Sequence, residues 1–136
     1  MRKGFTLVEL LACIAIAALL AAVAIPSWRN VMLRAQRSDA VQALYAVAAA
    51  QERYRMVYGH YADQAAPAPP VGLGLATSER GWYQLRIERA DASGFVATAR
   101  PVAGSPQSGD TACRLFTIDA LGARGSAPAA ADTCWP

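Results

Sequence analysis

The stretch Gly4-Phe5-Thr6-Leu7-Val8-Glu9-Leu10, followed by an unbroken apolar run from Leu10 to Ile25, decides how the chain is organised. Phe5 to Ile25 is 21 residues, or ~31 Å as a helix at ~1.5 Å per residue. That matches a bilayer core of ~30 Å. Arg2 and Lys3 stand immediately before it, so the positive-inside rule places the N-terminus in the cytoplasm and the remainder across the membrane. Glu9 is the anomaly, because a charge inside a membrane segment is costly and usually functional.

The chain has 136 residues, 54% hydrophobic and 17% charged, with a net charge of +3. Soluble domains are nearer ~25% charged. The apolar excess lies in residues 1–28, and residues 29–136 are an ordinary mixture large enough for one small core. A secretory signal peptide finds support in Ala22-Val23-Ala24, an A-x-A cleavage pattern, but the apolar run is long for one and Glu9 interrupts its start. A plain single-pass anchor leaves Glu9 unexplained.

A third reading accounts for more residues. A short basic leader ending in Gly4, then Phe5, Thr6, Glu9 and the apolar run, resembles the N-terminal motif of type IV pilins and their pseudopilin relatives. The resemblance implies cleavage between Gly4 and Phe5 by a prepilin peptidase, N-methylation of Phe5, and matching of the family's Thr and Glu by Thr6 and Glu9. Glycine leaves the backbone accessible at the cut. The resemblance also gives Glu9 a register-setting role, pairing with the Phe5 amine of a neighbour in a bundle of parallel helices. Low dielectric strengthens such a pair while desolvation opposes it. The alternative is that Glu9 pairs with its own N-terminus. Pro26 matches a helix-interrupting proline found in many pilins. It lacks an N–H and clashes with the preceding turn, so a kink or local melting is expected near Ala22–Pro26.

From Trp28 to about Tyr58 there is no Gly or Pro, and Ala, Leu, Gln, Arg and Met favour helix. Val41, Leu44, Val47/Ala48, Tyr54 and Val57/Tyr58 recur at helical spacing and predict one buried face; Arg34, Arg37, Gln42, Glu52 and Arg55 mostly fall elsewhere. Gly59 is a stop signal. Tyr54, Tyr58, Tyr61 and His60 read as packing where helix meets loop. Residues 62–81 are loop-like, with Ala-Pro-Ala-Pro-Pro at 66–70; in pilins this is the variable αβ-loop, often facing a neighbour. Tyr83, Leu85 and Ile87 alternate with Gln84, Arg86 and Glu88 in a half-buried strand. Asp91 to Gly94 is a turn, Phe95 to Arg100 a partner strand, and Cys113 to Asp119 a further strand whose facing the sequence leaves ambiguous. The expected fold class is α+β: a long N-terminal helix, half membrane anchor and half amphipathic, packed on a small antiparallel sheet of three or four strands, type IV pilin-like. The expected division is 1–4 leader, 5–28 membrane and filament-core half, and 29–136 outer head domain.

Cys13 lies in the apolar run and is most simply a small hydrophobe. Cys113 and Cys134 remain in the part placed outside the cytoplasm, where disulfides persist; two free thiols is the other reading. Cys113 to Gly122, with Cys134-Trp135 almost at the end, resembles the disulfide-bounded D-region of pilins, especially small minor pilins.

Nothing points to an enzyme: there is no Gly-rich phosphate loop, no metal cluster and no nucleophile with a base. His60, the only histidine, has no ligand partners at metal spacing. Asp119 and Asp132 alone make a poor calcium site. No cofactor is expected. The resemblance implies a structural subunit, a minor pilin, set in the inner membrane and assembled into or priming a filament for adhesion, twitching motility or DNA uptake. Its partners would be other pilin subunits, the prepilin peptidase, the inner-membrane assembly platform and the lipid bilayer. The alternative is a pseudopilin of a type II secretion system. Arg80, Arg86, Arg89, Arg100, Arg114 and Arg124 suit phosphate, but Glu79, Glu88, Asp91, Asp110, Asp119 and Asp132 match them in number. That balance favours a solvated mixed-charge surface over nucleic-acid binding.

Overall fold

The computed structural model describes residues 5–135. They fall into two compact units, Met1–Met32 and Leu33–Pro136. Helix α1, Leu7–Gln36, carries the apolar run, and none of its residues is buried within the chain. Its apolar window has a mean hydropathy of 2.7 and is long enough to cross a membrane. Helix α1 runs on through Pro26, so the local melting expected there is absent.

In the second unit a single turn residue, Arg37, separates α1 from α2, Ser38–Tyr58. Gly59 ends α2 in the left-handed region at φ 79° and donates its N–H to Arg55 O. That conformation strains any residue with a Cβ. The buried face of α2 is Ala40, Ala43, Leu44, Val47, Ala50, Gln51 and Tyr54. Val57 and Tyr58, expected on this face, are exposed, because the face ends at Tyr54.

The sheet is antiparallel in the order β1-β2-β3-β4: Tyr83–Ala90, Phe95–Pro101, Cys113–Asp119 and Arg124–Pro128. The first hairpin turns on Asp91, whose Oδ1 accepts hydrogen bonds from the Ser93 N–H, the Ser93 hydroxyl and the Gly94 N–H. These three donors hold the exposed carboxyl below its ordinary range, the Ser93 hydroxyl foremost. The ambiguous facing of β3 has a cause. A register shift between Cys113 and Leu115 inserts an irregularity, after which Phe116 and Ile118 alternate inward. The strands placed from sequence end at Asp119; Arg124–Pro128 supplies the fourth, β4.

Tyr83, Leu85, Ala97, Ala99, Phe116 and Ile118 meet Ala40, Leu44 and Val47 of α2 in one core. Full burial of a side chain such as Phe116 or Leu44 stabilises the fold by about 1.5–3 kcal/mol. The loop after α2 folds back on itself. A Cβ at Gly72 would lie 2.7 Å from the carbonyl oxygens of Gln64 and Pro67, so only glycine fits. Tyr54 hydroxyl closes the same loop by donating to Pro70 O at 2.5 Å.

Candidate functional site

At the N-terminal end, Gly4 lies outside the described residues. Phe5 is exposed and precedes α1. Thr6 and Glu9 are brought together. The Thr6 N–H and hydroxyl both donate to Glu9 Oε2, at 2.9 and 3.0 Å. The Glu9 N–H in turn donates to Thr6 Oγ1 at 3.3 Å. This is a reciprocal capping box, which satisfies N–H groups that a helix start leaves unpaired. The spacing Thr-x-x-Glu was legible in the sequence and its capping role was missed.

Cys113 and Cys134 form a disulfide. The segment it bounds is tied to the start of α2 by a buried network that the sequence did not reveal. Arg37, expected to fall off the buried helix face, is buried. Its Nε and Nη2 donate to the two oxygens of Asp110 at 2.7 and 3.1 Å, and its Nη1 donates to Thr133 O at 3.1 Å. Asp110 Oδ1 also accepts the Cys113 N–H. A second chain runs beside it: the Tyr83 hydroxyl donates to Gln107 Oε1, and Gln107 Nε2 donates to Gln36 Oε1. Burial, and then the Asp110 carboxylate, push the Tyr83 phenol far above the ordinary tyrosine range. Asp39, also buried, accepts from the Ser78 hydroxyl at 2.6 Å.

These pairings change the charge balance on the head. Asp110 is removed from the surface, neutralised by an arginine outside the six candidates for phosphate. Two of the six lie over aromatic rings: Arg80 is 4.9 Å from the Trp82 centroid, and Arg124 is 5.4 Å from Trp135 and 5.7 Å from Tyr45. Arg86 donates to Gln84 Oε1. Arg100 and Arg114 are exposed and line one concavity with Pro101 and Ser108. Among the described residues no carboxylate lines it.

Residues 26–117 match the family described as type IV minor pilin ComP, DNA uptake sequence receptor. Residues 1–25 match the prokaryotic N-terminal methylation motif. The chain is 36% identical over 90 residues to a fimbrial protein of Neisseria meningitidis serogroup B, covering 65% of this chain and 50% of that protein. It is 31% identical over 106 residues to the fimbrial protein EcpC of Eikenella corrodens, covering 76% and 65%. The chain thus spans about half the length of the first of these relatives. Among solved structures, the non-core minor pilin PilV of Neisseria meningitidis superposes with a TM-score of 0.53 at 18% identity, over 71% of this chain and 87% of that one. A type IV pilin of Shewanella oneidensis gives 0.50 at 24%, over 76% and 98%. Both likenesses concern the fold.

Proposed function

The chain belongs to the type IV pilin family, and from that premise we propose that it is a minor subunit of a type IV pilus whose head domain receives duplex DNA for uptake. The observation that carries this reading is the match of residues 26–117 to a family described as a DNA uptake receptor. The exposed arginines of the head support it, since phosphate contacts from such groups supply most sequence-independent affinity for DNA.

Processing is inferred from the N-terminal motif. A prepilin peptidase cuts after Gly4, and the new Phe5 amine is methylated. The subunit waits in the inner membrane with its N-terminus cytoplasmic, and the assembly platform lifts it into the filament. Glu9 sets axial register by meeting the Phe5 amine of a neighbour. Its Oε2 is committed to Thr6, which leaves Oε1 for that contact. Pro26 weakens the helix ladder locally by lacking an N–H.

The test is an in-frame deletion in the source organism. DNA uptake is expected to fall to background and to return with the wild-type gene, while protein secretion is unaffected. Normal uptake with lost secretion would overturn this reading in favour of a secretion pseudopilin.

A further inference from the structure

We propose that the concavity lined by Arg100, Pro101, Ser108 and Arg114 is a seat for one backbone phosphate of duplex DNA, gripped by the two guanidinium groups. This rests on the DNA-reception reading above and adds the place on the head where the backbone is held.

Four observations converge on it. Arg100 stands near the end of β2 and Arg114 near the start of β3, on adjacent antiparallel strands. Both side chains are exposed and line one concavity of about 370 Å³. Neither makes a side-chain hydrogen bond or ion pair with another described residue; the one ion pair among those residues is Arg37 with Asp110. Finally, Asp110, the acidic residue closest in sequence to Arg114, is buried against Arg37. Two like charges lining one hollow raise its potential, and the low-dielectric wall focuses that potential outward. Arginine forks suit phosphate oxygens. A phosphodiester carries one negative charge on two free oxygens, as a carboxylate does, so the choice of a DNA phosphate as occupant comes from the match of residues 26–117 to a DNA uptake receptor family.

The other arginines are worse placed. Arg80 and Arg124 lie over aromatic rings. Arg89 has the Asp91 carboxylate as a charge neighbour. Arg86 lines a different concavity, which it shares with Asp63. Arg86 is therefore the internal control, an exposed arginine on the same sheet with a carboxylate beside it.

The experiment uses the full chain in non-ionic detergent micelles and a random-sequence DNA duplex as probe, with binding measured across a salt series. Arg100→Gln and Arg114→Gln are each expected to weaken binding about tenfold, as loss of a charge-assisted contact does. The double variant should lower the steepness of log K against log salt by about 0.9, one phosphate's share. Arg86→Gln should change the affinity by less than either single variant. Ser108→Asp, which keeps both arginines and puts a carboxylate in the hollow at an exposed position, should weaken binding as much as the double variant. Wild-type affinity and salt slope in both the double variant and Ser108→Asp, with the wild-type chain binding DNA, would overturn the seat and leave DNA reception standing. No salt-sensitive binding by the wild-type chain would overturn reception itself, and the seat with it.

Discussion

Asp110→Ala is expected to destabilise the head domain by about 3–5 kcal/mol, the usual cost of leaving one partner of a buried ion pair uncompensated. The side chains of Arg37 and Asp110 are only 9% and 3% exposed, so water cannot replace the lost carboxylate. Without it, Arg37 keeps a single acceptor, Thr133 O, and the Cys113 N–H loses its bond. For a unit of this size the midpoint of thermal unfolding should fall on the order of 15 °C. Near-ultraviolet circular dichroism can track the transition, because Trp135 lies against Phe116 and Tyr45 in the same region. Replacing both partners, Arg37→Met with Asp110→Leu, should cost far less than the single change, since neither charge is then stranded. A double variant as unstable as Asp110→Ala would mean the pair acts by packing and not by charge.

The second large effect is expected from opening the disulfide. Cys113 and Cys134 are 21 positions apart, and closing a loop of that size contributes about 3 kcal/mol in the chain-entropy model. Cys113→Ser with Cys134→Ser should lower stability by that order in denaturant unfolding. Complete unfolding is not expected, because other ties hold the segment. Trp135 Nε1 donates to Gly125 O at 2.8 Å, and Arg37 holds Thr133 O. Arg37 and the disulfide share this segment, so combining Asp110→Ala with the serine pair should give a loss different from the sum of the two. Strict additivity would show that they stabilise separate parts of the head.

Much of this architecture was legible in local sequence. The helix former content of 28–58, the stop at Gly59, the alternation in β1 and the turn at Asp91 each depend on neighbours in sequence, and each is where the pattern puts it. The features that were not legible depend on distant partners. β4 reads Arg-Gly-Ser-Ala-Pro, a poor strand by propensity. It forms because β3 offers an edge and Trp135 pins Gly125, a case of tertiary context overriding propensity. Arg37 and Asp110 lie 73 residues apart, and nothing near either residue marks the pairing.

The exposed Val57 and Tyr58 continue a helical periodicity beyond the face that α2 buries. Periodicity finds a face without saying where the covering surface stops. At the functional end the legibility was uneven in a different way. The methylation motif, Phe5, Thr6 and Glu9 stood out at once, and the disulfide was implied by the resemblance. The arginine hollow did not stand out, because counting charges treats Asp110 as a surface neighbour when it is buried.

Filament membership after processing is tested most directly by the intact mass of this chain recovered from sheared surface filaments, before and after reduction. The expected species begins at Phe5, carries one methyl group on its amine, and has the Cys113–Cys134 bond closed. A chain that begins at Met1, or one that is confined to membranes and missing from the filament fraction, would contradict it.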